Sequence, residues 1–125
     1  MSKEKYTYEF DNSTGVMFKY YFGLITLEDI ITSWEYAFAN NLIPKSTKGF
    51  VVDYRQANFN MKIDEHKHIA DFYKNHPEIF GKLKTAVVTD DPHDVIIPTL
   101  VEMLNEGYYS RTFSTLEAAI EWVLR

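Results

Sequence analysis

The densest group of side chains able to do chemistry is Asp64-Glu65-His66-Lys67-His68. On a helix, Asp64 and His68 share one face at a spacing of four residues, whereas His66 and His68 point in different directions. One carboxylate and one imidazole fall short of the three or four ligands that a metal site requires. We therefore interpret this segment as the solvated first turn of a helix, where acidic residues favour the positive helix end, and predict no metal site.

A second group, Pro92-His93-Asp94, lies close to Asp90 in the sequence. A carboxylate beside a histidine can fix the imidazole tautomer for general-base work, so His93 with Asp90 or Asp94 gives the hypothesis of a weak hydrolase or isomerase. No nucleophile accompanies this pair, because the chain has no cysteine and no Gly-x-Ser-x-Gly elbow. The glycines are too isolated to form a phosphate-cradling loop. We predict no catalytic residues and no cofactor.

Hydrophobic periodicity predicts the elements that position these residues. Tyr6, Tyr8 and Phe10 alternate with polar residues, and residues 16–22 alternate again after a turn containing Gly15, which predicts a hairpin whose second strand lies inside the sheet. Helical stripes and short apolar runs then alternate to the end of the chain, in the order ββαβαβαβα. The predicted fold class is a single-domain α/β fold with a mixed, mostly parallel five-stranded sheet and about four helices.

Three boundaries are predicted within this order. The second strand ends at Gly23, and the third strand is expected over residues 49–54. A further apolar turn is expected after Pro77, at Ile79 and Phe80. Pro98 falls near the start of the third long helix, so that helix is expected to begin late or distorted.

The carboxyl ends of the parallel strands are the expected binding edge of the sheet. They carry Asp53-Tyr54-Arg55 and Thr89-Asp90-Asp91. We assign Asp53 a structural role, because a carboxylate that closes a buried strand can accept hydrogen bonds from nearby donors. Tyr54, Arg55 and His93 are the better candidates for the surface. The candidate ligand- or partner-binding residues are Tyr54, Arg55, Phe59, Asp90 and His93.

Aromatic residues are unusually frequent, at 16% of the chain with nine tyrosines. A buried tyrosine hydroxyl needs a partner or water, so a small core cannot hold every aromatic side chain. Exposed aromatics are typical of protein interfaces, and aromatics also line apolar ligand pockets. The residues that we expect not to be all in the core are Tyr20, Tyr21, Tyr36, Phe59, Tyr73, Tyr108 and Tyr109.

Length, charge and hydropathy limit the classes of partner. The chain of 125 residues is 46% hydrophobic, as expected for one packed domain over residues 1–125. Its net charge of −5, without a basic cluster, argues against nucleic-acid binding. The start lacks a signal-peptide pattern and no apolar run could span a membrane, so we expect a cytoplasmic protein.

Several short segments carry a family resemblance that extends over almost the whole chain. They are Gly23-Leu24-Ile25-Thr26-Leu27-Glu28-Asp29, Val51-Val52-Asp53, Thr85-Ala86-Val87-Val88 and Phe113-Ser114-Thr115-Leu116-Glu117-Ala118-Ala119-Ile120-Glu121-Trp122-Val123-Leu124. With the order of elements, they resemble the STAS domain of bacterial anti-sigma-factor antagonists, and more closely the SpoIIAA-like family of small stand-alone bacterial proteins. The resemblance implies a STAS-like fold and a role in protein binding.

One departure from the antagonists bears on regulation. In antagonists of this type, a phosphorylatable Ser or Thr lies near the start of the second helix. The matching segment here, Asn58-Phe59-Asn60-Met61-Lys62-Ile63-Asp64, contains no hydroxyl group. Because a phosphoryl switch needs an oxygen nucleophile, we predict no phosphorylation control at this place.

Two functional hypotheses outrank the hydrolase or isomerase. The leading one is a non-enzymatic cytoplasmic binding or regulatory module that self-associates or docks a protein partner. The alternative is a carrier or sensor of a small apolar molecule such as a lipid, since some relatives of this fold are grouped with lipid-transfer domains. An exposed aromatic patch favours the first hypothesis, and an apolar cavity favours the second.

Overall fold

The computed structural model describes residues 4–125, so the first three residues of the predicted domain lie outside the described residues. The described chain begins with the predicted hairpin. Strand β1 (Tyr6–Asp11) pairs antiparallel with β2 (Val16–Ile25). The Asp11 carboxylate accepts hydrogen bonds from Ser13 and Thr14 in the connecting turn, and Gly15 closes the turn with φ +82°. A Cβ atom at Gly15 would lie 2.6 Å from Lys48 Cγ, so both backbone conformation and space require glycine.

Five strands form one sheet in the order β1-β2-β3-β4-β5. Strand β3 (Gly49–Phe59) lies parallel to β2, and β4 (Lys84–Val88) and β5 (Tyr109–Phe113) continue the parallel array. Strand β2 therefore lies inside the sheet, as its apolar residues on both faces predict. Both β2 and β3 continue past the predicted ends, because residues 22–25 pair with residues 56–59 after a bulge in β3, where Tyr54 and Arg55 lie opposite Tyr21.

Five helices complete the fold, four of them longer than one turn. Helix α1 (Leu27–Ala39) begins with a capping box, in which Thr26 and Asp29 each accept a backbone N–H from the other. A 3-10 turn at Ile63–Glu65 leads into the second long helix, and the predicted apolar turn after Pro77 is a separate short helix. The remaining helices are α2 (His66–Lys74), α3 (Pro77–Phe80), α4 (Ile96–Leu104) and α5 (Leu116–Leu124).

Helix α4 starts late, which is one of the two outcomes that Pro98 predicts. Residues 92–95 form turns, and the helix begins only at Ile96. Pro98 is then its third residue, where the missing N–H has no intrahelical acceptor to lose. The proline is therefore accommodated in the first turn and is itself buried.

The two faces of the sheet are covered unequally. From β2 to β5, each strand lies next to the preceding one on the same side. Because the crossovers between parallel strands are right-handed, the connecting helices α1, α2 and α4 all lie on one face of the sheet. That face holds the larger core, in which the Trp34 ring packs edge-on against Phe50 and Phe80. Helix α5 alone packs on the opposite face, where Ala119 and Val123 meet an apolar strip of the strands. The strip consists of Val16, Phe18, Val51, Ala86 and Val88.

No helix within residues 4–125 is both long enough and apolar enough to cross a membrane.

We predict that Gly49 is required for the close approach of α5. A Cβ at this position would lie 2.6 Å from Val123 Cγ1 and 2.9 Å from the Lys84 carbonyl oxygen. Gly49→Ala should therefore lower the free energy of unfolding by about 1–3 kcal/mol, measured by urea denaturation. Adding Val123→Ala removes one of the two clashes, so the double variant should lose at least about 0.5 kcal/mol less than the sum of the single variants. Strictly additive losses would contradict this packing.

Candidate functional site

The carboxyl ends of four strands and the amino ends of the following helices meet at one edge of the sheet, which we call the carboxyl edge. The pairing of residues 22–25 with residues 56–59 extends β2 and β3 beyond their neighbours there. All five predicted site residues lie on β3 or on the β4–α4 loop, so the topology brings them to this edge. Their side chains, however, do different things.

Asp53 and Arg55 form an ion pair on the face that α5 covers. Asp53 is buried, and its carboxylate accepts the Arg55 backbone N–H at 2.9 Å and the guanidinium at 2.8 Å. These hydrogen bonds raise the pKa of Arg55, and the charges of Asp90 and Glu117 act in the same direction. Asp53 thus accepts the backbone and side-chain hydrogen bonds expected of a structural residue, while Arg55 keeps part of its side chain in solvent.

Asp94, which sequence analysis named only as a possible partner of His93, is buried and connects the β4–α4 loop to the end of β3. Its Oδ1 accepts the Phe59 backbone N–H at 3.0 Å, and its Oδ2 accepts the Asn58 amide at 2.8 Å. Asp91 accepts from Asn58 as well, at 3.2 Å, and from the His93 backbone N–H. The loop is therefore fixed relative to β3 by three hydrogen bonds.

His93 projects from this loop as an exposed side chain. Within residues 4–125, its ring makes no hydrogen bond to a carboxylate, and both Asp94 oxygens are occupied by Asn58 and Phe59. Asp90 is exposed beside it in the same loop. The geometry does not bring His93 into a hydrogen-bonded pair with either carboxylate.

The expectation that Tyr54 lies at the surface is wrong. Tyr54 is only 5% exposed, and its ring stacks on Tyr21 at 4.5 Å between centroids and meets Phe59 at 4.6 Å. Its position in β3 explains this, because Phe50, Val52 and Tyr54 alternate on the face that packs against α1 and α2. Burial raises the pKa of the Tyr54 hydroxyl well above its ordinary value.

Tyr54 and Phe59 line a small apolar cavity beneath the carboxyl edge, together with Tyr73. Its volume of about 20 Å³ is close to what a single water molecule needs. Ligand pockets for small molecules are usually several hundred Å³. The cavity is thus a packing gap between the sheet and the helices rather than a formed ligand site.

Four large apolar side chains are exposed around the same edge, and we call them the apolar rim. They extend from the end of β2, from the turn before α2 and from the start of α4. Leu24 is 60% exposed and Ile63 56%, and the rim is completed by Val95 and Ile96. Sequence analysis named the aromatic residues Tyr54 and Phe59 as binding candidates at this edge, whereas the large exposed side chains of the rim are aliphatic.

The other tyrosines divide as the aromatic excess predicts. Tyr21, Tyr73 and Tyr108 are buried, and the Tyr108 hydroxyl donates to the Val101 carbonyl at 2.5 Å. Tyr36 and Tyr109 are exposed, on α1 and at the start of β5 respectively. The exposed tyrosines are therefore not gathered at the carboxyl edge.

A fully buried lysine is the most unusual group that sequence analysis missed. Lys19 lies on the α1 face of β2 with no exposed surface, and its ammonium nitrogen is 2.5 Å from Ser33 Oγ. The same nitrogen lies 3.7 Å from the centre of the Trp34 ring and 4.9 Å from that of Tyr21. Tyr6 and Tyr8 of β1 complete an aromatic cage at 5.9 and 5.6 Å.

Burial decides the charge state of Lys19. Cation–π attraction contributes about 2 kcal/mol at a desolvated site, whereas removing an ammonium from water costs several kcal/mol. Desolvation therefore lowers the pKa of Lys19 well below its ordinary value. Ser33 supports the cage, since its Oγ also bonds the Tyr21 hydroxyl at 2.6 Å and donates to the Ile30 carbonyl. The cage thereby links β1, β2 and α1.

The Asp64–His68 segment lies at the start of α2, and His66 Nδ1 lies 2.6 Å from the Ile63 carbonyl oxygen. Across residues 4–125, no three His, Asp or Glu side chains are arranged to hold a metal ion.

The sequence matches no protein-family model and no curated protein. Solved structures do match. An uncharacterised protein of the DUF3478 family from Shewanella loihica PV-4, described as having a SpoIIAA-like fold, superposes with a TM-score of 0.62 at 13% identity, over 98% of both chains. The fold is SpoIIAA-like. The anti-sigma factor antagonist SpoIIAA in its unphosphorylated form superposes with a TM-score of 0.52 at 12% identity, over 94% of this chain and 96% of that one. The predicted fold class is confirmed, with its mixed five-stranded sheet and four longer helices.

We predict that Asp94 stabilises the carboxyl edge. Asp94→Ala leaves the Phe59 N–H without its acceptor and should lower the free energy of unfolding by about 1–3 kcal/mol, with faster amide exchange at Phe59. Asp90→Ala is the matched control, because Asp90 is exposed in the same loop and should change stability by less than about 0.5 kcal/mol. Equal effects of the two substitutions in urea denaturation would refute the assignment.

We also predict a pH dependence of stability from Lys19. Because burial lowers its pKa in the folded state, the unfolded chain binds the additional proton between that pKa and the ordinary value of about 10.4. Stability from this group therefore rises with pH in that window. Relative to Lys19→Met, the wild-type free energy of unfolding should increase as pH rises toward about 10.4, the ordinary pKa of lysine, by at most about 1.4 kcal/mol per pH unit.

The tyrosines with raised pKa are present in the wild type and in Lys19→Met. The difference between their two curves of unfolding free energy against pH therefore isolates the contribution of Lys19. Parallel curves would mean that the aromatic cage keeps Lys19 charged in the folded protein.

Proposed function

We propose that this protein is a non-enzymatic cytoplasmic regulatory module that docks a protein partner through the apolar rim of its carboxyl edge. The observation that carries the proposal is the exposure of Leu24, Ile63, Val95 and Ile96 around one edge. Contiguous exposed apolar side chains with a polar surround are typical of protein-binding surfaces. The likeness in fold to an anti-sigma factor antagonist also supports a role in regulatory protein binding.

Charge around the rim favours a basic partner segment. The exposed charged residues near the rim include the acidic Asp64, Asp90 and Glu117 and the basic Lys62, whereas Arg55 is already paired with Asp53, so acidic groups predominate. A partner segment that presents apolar side chains between Lys or Arg residues would match both the rim and its surround.

The segment that ends β3 supports binding without a phosphoryl switch. Residues 58–64 contain no hydroxyl group, and this segment lies beside the rim, between Phe59 and the turn before α2. A phosphate at this place would change the charge of the docking surface, but the side chains offer it no attachment point. We therefore propose that the amount of the partner, rather than phosphorylation here, controls the complex.

The roles of Asp94 and the cavity argue against the other hypotheses. Catalysis by His93 would need an orienting carboxylate, and Asp94 is instead bonded to Asn58 and Phe59. A carrier of apolar molecules would need an enclosed apolar pocket, and the apolar gap under Tyr54 has only about 20 Å³. The larger groove between β1 and α1 is open and has Glu4, Lys5 and Asp29 in its lining. Neither observation favours a second function.

Affinity capture with matched variants tests the proposal. Ile63→Glu places a charge in the rim, whereas Met103→Glu places the same charge on a 75% exposed side chain at the end of α4, on the opposite edge of the sheet. From a lysate of the source organism, the wild type and Met103→Glu should retain the same partner. The amount of this partner retained by Ile63→Glu should be at least tenfold lower.

Circular dichroism of both variants establishes that each is folded. Equal retention by all three proteins, or loss only with Met103→Glu, would place the binding surface elsewhere and overturn the proposal.

A further inference from the structure

Strand β1 presents an open hydrogen-bonding edge on the side of the sheet away from β2. The Lys5 carbonyl accepts the Phe22 N–H at 2.8 Å, so odd-numbered residues of this strand face β2. In an antiparallel ladder the alternate residues face outward. The backbone groups of Tyr6, Tyr8 and Phe10 therefore point away from the sheet, and no backbone partner for them lies within residues 4–125.

The opposite edge strand is treated differently. The Phe113 carbonyl accepts the Thr89 N–H, so Ser110 and Thr112 face outward on β5. Glu102 of α4 reaches over this edge and accepts the Thr112 N–H at 2.8 Å. A side chain that occupies an edge donor obstructs the addition of another strand, which is a common protection of sheet edges. Strand β1 has no comparable cover among the described residues.

A groove of about 720 Å³ runs between β1 and α1, beside this open edge. Tyr6 and Tyr8 form one wall, and the half-exposed Tyr36 of α1 forms the other. The Lys19 cage lies behind the first wall and fixes the two β1 tyrosines from within. The groove is therefore bordered by a firmly held strand edge and by an exposed aromatic side chain.

We propose that β1 pairs antiparallel with β1 of a second copy, about a twofold axis at Tyr8. In this register Tyr8 faces Tyr8, Tyr6 faces Phe10, and every outward backbone group of these three residues gains a partner. The pairing joins two five-stranded sheets into one continuous sheet. It uses a surface different from the apolar rim, so it leaves the proposed docking edge free.

Charge complementarity in the same register favours a second copy as the occupant. Lys5 of each copy stands opposite Asp11 of the other, and Thr7 stands opposite Glu9. Lys5 already bonds Asp29 at 2.9 Å, and the Asp11 carboxylate already accepts from Ser13 and Thr14, so the contact in the dimer adds to these existing bonds. A register centred on Thr7 would set Lys5 opposite Glu9 instead, but it would leave Phe10 opposite Glu4, outside β1. The Tyr8 centre therefore pairs more of the outward backbone groups of β1.

Sedimentation velocity over a wide concentration range tests this dimer, and the contact of Thr7 with Glu9 supplies variants with opposite signs. These residues form close, non-hydrogen-bonded pairs, and each substitution acts twice because of the symmetry. Thr7→Glu should raise the dissociation constant of the dimer about fivefold, whereas Thr7→Lys should lower it by a similar factor. The double variant Thr7→Glu with Glu9→Lys creates the same pair of opposite charges with the two sides exchanged, so its dissociation constant should be close to that of Thr7→Lys.

Amide hydrogen exchange supplies the second readout. Exchange at Tyr6, Tyr8 and Phe10 should slow as concentration rises, while exchange at Ser110 should stay constant. A protein that stays monomeric at every concentration overturns the proposal. A dimer that is indifferent to the sign of the charge at Thr7, or that leaves the three β1 amides unprotected, overturns it equally.

Discussion

The parallel pairing of β2 with β3 is the interaction on which the rest of the structure depends. These are the two longest strands, and both of their faces are buried over most of their length. On one face they carry the core around Trp34 and Phe50, and on the other the strip that α5 covers. Their extension past the neighbouring strands places Leu24 and Phe59 at the carboxyl edge. The docking surface that we propose is thus formed in part by the extended ends of the two central strands.

The same pair determines which charged groups are structural. Lys19 on β2 and Asp53 on β3 face opposite sides of the sheet, and both are almost inaccessible. Asp53 has a guanidinium partner, whereas Lys19 has only a hydroxyl and aromatic rings. A buried charge without a counter-ion is costly, so burial lowers the pKa of Lys19, while the aromatic cage links β1 to α1. This packing leaves the carboxyl edge and the outer side of β1 as the two surfaces open to partners.

Most of the fold was predictable because its signals are local. The hairpin turn at Gly15, the capping residues Thr26 and Asp29 and the alternating strands each specify their own element. The burial of Tyr54 was predictable as well, because Tyr54 alternates with Phe50 and Val52 in the predicted strand and so lies on the same face of the sheet. Lys19 shares its face with Met17 and Tyr21, which was the available signal, but a lysine in a strand is ordinarily solvated. The role of Asp94 depends on contacts with Asn58 and Phe59 some 35 residues away, which no local pattern contains.

Hydrogen–deuterium exchange of the full chain, with and without its captured partner, tests the central claim most directly. If the carboxyl edge is the docking surface, the partner should slow exchange in residues 58–64 and 90–96 and leave α5 unchanged. Protection confined to α5 or to the amino ends of the strands, with unaltered exchange in those two segments, would contradict the account.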